Sequence, residues 1–153
     1  MNIFDELEAQ YNEIDGRYSS GEFDCGQRGW HRKKQEYRRK RKINDQAYFV
    51  FMFSRLEYRI REESAKLIRK KKGSISSWKQ RAAWEILPGR PDAELHFRKR
   101  LALLTEKGGR DFNLVSGYYR ERNSVAHGGS FINPVIMPNV ITELKRLYRI
   151  LKA

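Results

Sequence analysis

The amino-acid sequence predicts an all-α fold, and three observations support this class. Apolar residues recur at steps of three and four along most of the chain, serine, asparagine and aspartate stand before these stretches, and glycine or proline follows them. No stretch competes convincingly as an alternating strand pattern, and no internal repeat is visible. The chain has 153 residues, 39% of them apolar and 11 glycines besides, which fits one domain with a single hydrophobic core.

The first helix is predicted over residues 3–15, where the apolar stripe consists of Phe4, Leu7, Tyr11 and Ile14. Gly16 is expected to end this helix, and the glycine-containing stretch 19–29 is expected to form a flexible connection. The next segment, residues 31–42, reads HRKKQEYRRKRK and is almost continuously positive. It could extend a helix, or stay disordered until a partner neutralises its charge.

The central helix is predicted to begin at Asn44, a suitable capping residue, and to run to about Lys72. This stretch contains neither glycine nor proline, and Gly73 is expected to stop it. We place the main division of the chain just before this helix. Residues 1–43 are interpreted as an N-terminal helix and basic arm, and residues 44–153 as a helical bundle, within one compact unit.

A short helix is predicted to follow, capped by Ser76 or Ser77 and ended by the turn at Pro88. It carries Trp78 and Trp84, which we expect to be buried against the central helix. Base stacking is the less favoured role for these tryptophans.

Three further helices complete the predicted bundle. One is expected to open at Asp92 and to end at Gly108, and a second to be capped by Asp111 and stopped by Gly128. The last helix is expected over residues 139–152, after two prolines that enforce a turn.

The charge balance indicates a polyanionic partner. Lysine and arginine number 32 against 19 acidic residues, which gives a net charge of +13 at pH 7. Such a field attracts RNA, DNA or an acidic surface. The residues expected to contact RNA lie in the basic segment: Arg32, Lys33, Lys34, Tyr37, Arg38, Arg39, Lys40, Arg41 and Lys42. The alternative for this segment is a solvated or disordered arm that binds nothing.

Other partners and cofactors are not expected. Cys25 is the single cysteine, so an internal disulfide is excluded, and it forms no recognisable ligand spacing with His31 and His96. We therefore expect neither a metal nor a cofactor. No apolar run is long enough to cross a membrane, and the acidic, amphipathic N-terminal stretch is unlike a secretory signal. A cytoplasmic protein is the simplest interpretation.

The candidate for chemistry is the heptapeptide RNSVAHG at residues 122–128, which brings a permanent cation, an amide and a titratable imidazole to a helix end. Asn123 and His127 are four residues apart and share a helix face, whereas Arg122 lies about 140° from His127. Arg120 is a second candidate phosphate contact. The structural alternative is that Arg122 pairs with Glu57 or Glu121 and that His127 only caps the helix.

The wider wording, ERNSVAHGG in a basic, all-helical chain, resembles the HEPN family (higher eukaryotes and prokaryotes nucleotide-binding domains). The family signature is R-x4-6-H, often R-N-x3-H, and Arg122, Asn123 and His127 match it. The resemblance covers roughly residues 44–152 and implies a bundle of four or five helices. It also implies an acidic residue on the central helix that faces the signature, for which Glu57 is the candidate and Glu62 or Glu63 the substitutes.

The resemblance implies a metal-independent ribonuclease site formed by Arg122 and His127, commonly composite across a homodimer. It further implies a toxin or defence role, with activity restrained by an antitoxin or another regulatory protein. The expected activity is endoribonucleolytic cleavage by 2'-hydroxyl attack. The alternative is a non-catalytic RNA-binding or adaptor module, because some members of the family do not catalyse.

Overall fold

The computed structural model describes residues 3–153, and these form six α-helices joined by turns. The helices are α1 (Ile3–Gln27), α2 (His31–Ser74), α3 (Trp78–Glu85), α4 (Phe97–Leu104), α5 (Arg110–Ala126) and α6 (Met137–Ile150). The predicted all-α class is confirmed, since no strand occurs in this part of the chain. Within residues 3–153, no helix combines the length and the apolar character needed to cross a bilayer.

Helix α1 is longer than predicted, because it continues through Gly16 and Gly21 to Gln27. The expected stop at Gly16 and the expected flexible connection over residues 19–29 are therefore wrong. The close approach of α2 explains one of the glycines: a Cβ on Gly21 would lie 2.5 Å from the ring of Tyr37. Gly21 thus allows the two helices to pack closely, whereas the sequence pattern suggested that it breaks the chain.

Helix α2 spans 44 residues, which at 1.5 Å per residue makes it about 66 Å long. It includes the whole basic segment, so of the two alternatives for residues 31–42 the structure adopts the helical extension. The predicted start at Asn44 is wrong, because Asn44 lies buried inside the helix. The end of α2 is close to the expected stop at Gly73. The helix continues without a break across residues 43 and 44, where the predicted boundary between the basic arm and the bundle lies.

Helix α3 begins where expected, with Ser77 at its N-cap position. Its side chains are not buried as predicted, however, since none of its eight residues lies in the core. Trp78 is 68% exposed and Trp84 is half-buried. The expectation that both tryptophans are buried is therefore wrong: Trp78 is exposed and Trp84 is only partly covered.

Helix α4 begins at Phe97, with His96 as its N-cap, and not at Asp92. The preceding stretch is held in an irregular conformation by Arg100, whose fully buried guanidinium donates to the carbonyls of Arg90 (3.0 Å) and Ala93 (2.8 Å). Burial lowers the pKa of Arg100. The carbonyl of Arg90 also accepts the amide of Ala93 at 3.3 Å, so this stretch forms a turn and the helix starts later than the aspartate signal indicates.

Helices α5 and α6 lie close to their predicted positions. Helix α5 begins at Arg110, one residue before the expected cap, which places Asp111 in the first turn. There the carboxylate of Asp111 accepts two hydrogen bonds from Arg146 on α6, at 2.5 and 3.3 Å. Such a bidentate pair fixes one helix against the other.

The chain forms two compact units. The first consists of Met1–Met52 and Glu121–Glu143, and the second of Phe53–Arg120 and Leu144–Ala153. Buried side chains of the first unit include Phe4, Leu7, Phe49, Met52, Met137 and Ile141. Those of the second include Phe53, Leu56, Ile60, Phe97, Leu101, Val115, Leu144 and Leu147. In the second unit Phe97 stacks on Tyr119, with ring centroids 4.4 Å apart.

Candidate functional site at the end of α5

The C-terminus of α5 is closed by a Schellman turn. The amide of Gly128 donates to the carbonyl of Val125 (3.0 Å), and the amide of Gly129 donates to that of Ser124 (2.9 Å). Gly128 has φ +86°, the left-handed conformation that this turn requires and that glycine adopts without strain. The predicted stop at Gly128 is confirmed. His127 consequently occupies the C-cap position, where its side chain is exposed.

Asn123 links the other two residues of the candidate catalytic set. Its side-chain Oδ1 accepts a hydrogen bond from Nη1 of Arg122 at 2.9 Å, and its backbone carbonyl accepts one from the amide of His127 at 3.1 Å. Arg122 and Asn123 are half-buried, whereas His127 is exposed. The end of α5 therefore carries a guanidinium bonded to an amide, and the imidazole follows one turn later at the C-cap.

Glu121, the residue before Arg122, is buried and anchors the loop that follows α5. Its carboxylate accepts hydrogen bonds from the amides of Ile132 (2.6 Å) and Asn133 (3.1 Å) and from Nδ2 of Asn133 (2.7 Å). The partners of this carboxylate are thus groups of the loop that follows α5. The carboxylate fixes the loop because it satisfies two backbone amides that helical bonding leaves without partners.

Two predicted supporting residues belong to the second unit. Glu57 is buried on α2 and accepts a hydrogen bond from Arg61 at 2.9 Å. Arg120 is exposed on α5. Glu63, a possible substitute for Glu57, accepts bonds from Lys66 (2.9 Å) and from the amide of Ala153 (3.0 Å). The supporting roles of Glu57 and Arg120 stay predictions.

A groove in the first unit begins just after this helix end. Its volume is about 500 Å³, and its lining consists of Lys42, Asp45, Gln46 and residues 130–135. Oδ1 of Asp45 accepts a hydrogen bond from the hydroxyl of Tyr11 at 2.8 Å. Burial raises the pKa of Asp45, and burial together with the neighbouring Asp45 raises the pKa of Tyr11.

Sequence reasoning missed this groove and the anchoring role of Glu121. The sequence pattern places Tyr11 in the apolar stripe of the first helix, and Asp45 carries no signal apart from its place near the predicted start of the central helix. The two residues are 34 positions apart, and only the pairing of α1 with α2 brings them together. Glu121 could have been noticed as an acidic residue inside the signature wording, although nothing in the sequence points to its loop partners.

Several residues of the basic segment contact α1. Arg38 donates to Glu22 at 2.5 Å, and Arg41 donates to Asp15 at 2.9 Å and to Glu22 at 3.2 Å. The hydrogen bond from Arg38 lowers the pKa of Glu22. Two of the predicted RNA-binding cations therefore pair α1 with α2, and part of their charge is neutralised within the protein.

Tyr37 also packs within the helical pair. Its half-buried ring lies against Gly21, its centroid is 6.4 Å from that of Tyr18, and the ammonium of Lys40 lies 5.1 Å from its ring centroid. A ring held in this way has less surface for stacking on a base than the sequence suggested. Lys34 is half-buried as well. Five of the predicted RNA-binding residues are exposed and form none of the ion pairs with α1 described above: Arg32, Lys33, Arg39, Lys40 and Lys42.

A metal site would be another possible source of chemistry near this helix end. Among residues 3–153, no group of three or more His, Cys, Asp and Glu side chains is arranged to hold a metal ion. Cys25 is a buried free thiol on α1.

Comparisons of the chain with protein-family models, with curated proteins and with solved structures give no match. Function is therefore inferred from the residues of this chain.

Proposed function

We propose that the protein is a HEPN-like, metal-independent endoribonuclease whose catalytic residues are Arg122, Asn123 and His127. The carrying observation is the end of α5, where Asn123 bonds the guanidinium of Arg122 through its side chain and the amide of His127 through its carbonyl. The Schellman turn leaves His127 exposed at the C-cap of the same helix. In this proposal a phosphodiester bound at this helix end contacts both the guanidinium of Arg122 and the imidazole of His127.

The chemistry needs only these groups, because RNA carries its own nucleophile. The 2'-hydroxyl loses its proton and attacks the adjacent phosphorus, and the bond from phosphorus to the 5'-oxygen breaks as that oxygen is protonated. The products are a 2',3'-cyclic phosphate and a 5'-hydroxyl. His127 transfers one of the two protons, Arg122 stabilises the charge that develops on the phosphorane oxygens, and Asn123 orients the guanidinium.

A single imidazole serves one proton transfer at a time, and the complementary transfer needs a second group. We propose that a homodimer supplies it as a second His127, which makes the site composite. Restraint by an antitoxin or another regulatory protein, and a role as a toxin or in defence, belong to the same proposal.

RNA affinity is proposed to come from the exposed cations of α2. These side chains lie on a preformed helix, so binding does not require the ordering of a disordered arm. Contacts between these cations and phosphates confer affinity and carry little information about sequence.

The second candidate function is a non-catalytic RNA-binding module. One observation favours it: Arg122 is half-buried and already hydrogen-bonded to its neighbour, as a structural arginine would be. In that case the basic surface of α2 provides the whole function.

One assay separates the two candidates. Purified protein is incubated with RNA in excess chelator and compared with His127→Ala and Arg122→Ala. Cleavage that resists the chelator and falls at least a hundredfold in both variants, while RNA binding survives, supports the ribonuclease, since general acid–base catalysis contributes about 10² to 10⁴ in rate.

His31→Ala is the matched control, because His31 is also exposed and stands at the end of a helix. It should cleave as the unaltered protein does. Equal cleavage by all four proteins indicates contamination, overturns the ribonuclease and leaves the binding module.

A further inference from the structure

We propose that the groove lined by Lys42, Asp45, Gln46 and residues 130–135 binds the nucleobase beside the cleaved phosphodiester and selects guanine through Asp45. This inference rests on the proposed ribonuclease function and names the substrate preference of that site. Four observations support it: the groove's position along the chain, its lining, the fixed orientation of Asp45, and the anchored loop.

The position follows from chain connectivity. Ser130, the first loop residue of the groove, is three residues after His127, so their Cα atoms lie within about 11 Å. The turn also brings Ser130 back against α5, because the Ser124 hydroxyl donates to the Ser130 carbonyl at 2.7 Å. Stacked nucleotides rise about 3.4 Å each, so a strand whose phosphate lies at His127 can place a base of a nearby nucleotide in the groove.

The lining provides both an aromatic ring and polar groups. The ring of Phe131 is held edge-to-face against buried Phe49, with centroids 5.2 Å apart, and can contact the face of a base. Gln46 and Asn133 carry amides that can pair with base edges. Lys42 lies three residues before Asp45 on the same side of α2, where its ammonium can reach a phosphate.

Asp45 has the orientation that selective hydrogen bonding requires. The hydroxyl of Tyr11 bonds Oδ1, which fixes the plane of the carboxylate and leaves Oδ2 and the second lone pair of Oδ1 as acceptors. A carboxylate accepts two parallel N–H bonds. Of the four RNA bases, guanine alone presents two adjacent donors on its pairing edge, at N1 and N2. Uracil presents one donor between two carbonyls, which a carboxylate repels.

The opposite wall is fixed as well. Glu121 holds the amides of Ile132 and Asn133, and because it also bonds Nδ2 of Asn133, the Oδ1 of that amide remains the acceptor side. A groove with one wall on a helix and the other on an anchored loop loses little conformational freedom when it binds a ligand.

The test measures binding without cleavage. Short RNA oligonucleotides with 2'-O-methyl groups cannot be cleaved, and a set of three differs only in one base: guanine, uracil or hypoxanthine, which lacks the N2 amino group. Calorimetry should show binding of the guanine oligonucleotide about tenfold tighter than that of the uracil one. The hypoxanthine oligonucleotide should fall between the two.

Asp45→Asn should abolish this preference, because an amide has one acceptor oxygen, which can still accept the bond from Tyr11. Asp24→Asn removes the same charge from an exposed position on α1 and should keep the preference. Lys42→Ala should weaken the binding of all three oligonucleotides by about the same factor. The comparison of guanine with hypoxanthine uses the unaltered protein, so the proposal is tested even if Asp45→Asn does not fold.

The failures of this inference and of the proposed function are distinguishable. Equal affinity for the three oligonucleotides, with chelator-resistant cleavage intact, overturns the guanine groove and leaves the ribonuclease standing. Selective binding that depends on Asp45, without any cleavage, supports the groove and overturns the ribonuclease. A preference that survives in Asp45→Asn overturns the role of Asp45.

Discussion

Individual residues at the end of α5 determine whether the candidate site can form. Gly128 adopts φ +86°, and the turn that it makes places His127 at the C-cap. Any residue with a Cβ is strained in this conformation, by about 1 to 2 kcal/mol. Gly117, in the middle of the same helix, has no such requirement, because a Cβ added there would meet no atom within 4 Å.

We expect opposite effects from alanine at these two glycines. Gly128→Ala should lower the free energy of unfolding by about 1 kcal/mol, whereas Gly117→Ala should raise it by about 0.5 to 1 kcal/mol, because alanine favours the helix interior. Urea denaturation followed by circular dichroism measures both. A Gly128→Ala protein as stable as the unaltered one would show that the Schellman turn does not determine this helix end.

Single residues also show where sequence reasoning fails. The signature at residues 122–127 and the stop at Gly128 were predicted because a helix end depends on neighbouring residues. Glu121 and Asp45 are not predicted as parts of a site, because their partners are distant in sequence. The loop amides bonded to Glu121 lie 11 and 12 residues away, and Tyr11 lies 34 residues from Asp45. Such contacts depend on tertiary pairing, which local periodicity does not encode.

The presence of the helices is easier to predict from sequence than the residues at which they begin and end. The strong apolar periods of α2, α5 and α6 were recognised, but the glycines of α1 were interpreted as breaks. A helix tolerates a glycine at a cost of about 1 kcal/mol. At Gly21 a larger residue would collide with the ring of Tyr37, so the packing of α1 on α2 requires glycine there. The segment 31–42 could not be assigned from sequence, since its helical state is supported by carboxylates of α1.

The pair of Asp111 and Arg146 joins α5 to α6 and makes stability depend on pH. The hydrogen bond from Arg146 lowers the pKa of Asp111 below its ordinary value near 3.9. Since the folded state binds the proton less tightly than the unfolded state, the stabilisation is complete above the unfolded pKa and is lost as pH falls through the folded pKa.

Asp111→Asn should therefore lower the free energy of unfolding by about 1 kcal/mol at pH 7. The difference from the unaltered protein should shrink as the pH falls from about 5 into the acid range, because the lowered pKa of Asp111 is then approached. Urea denaturation at several pH values measures it. Asp24→Asn serves as the control, because its carboxylate forms no ion pair within the described part of the chain, and it should have little effect at any pH. A difference that grows in acid would contradict this account.

For the whole molecule, the net charge of +13 was the property most directly available from sequence, because charge adds up without knowledge of the fold. The fold determines which cations remain exposed. Arg38 and Arg41 pair with α1, whereas Arg39 and Lys42 are exposed on α2. If RNA binds along α2, its affinity depends on which cation is removed as well as on the total charge of the protein.

Two double variants test this point at equal net charge. Arg39→Ala with Lys42→Ala should weaken RNA binding and reduce the slope of log affinity against log salt by about 2, one for each lost phosphate contact. Lys99→Ala with Lys107→Ala removes two exposed lysines elsewhere and should change the slope less. Equal slopes for the two variants would mean that RNA responds only to the overall charge.

The loop held by Glu121 has a practical consequence for spectroscopy. Amide protons in an exposed loop ordinarily exchange with solvent deuterium quickly, but those of Ile132 and Asn133 are engaged by a buried carboxylate. They should persist in nuclear magnetic resonance spectra after neighbouring loop signals have faded. These two protons then provide a built-in reporter, outside the signature residues, of whether this segment keeps its conformation when a ligand arrives.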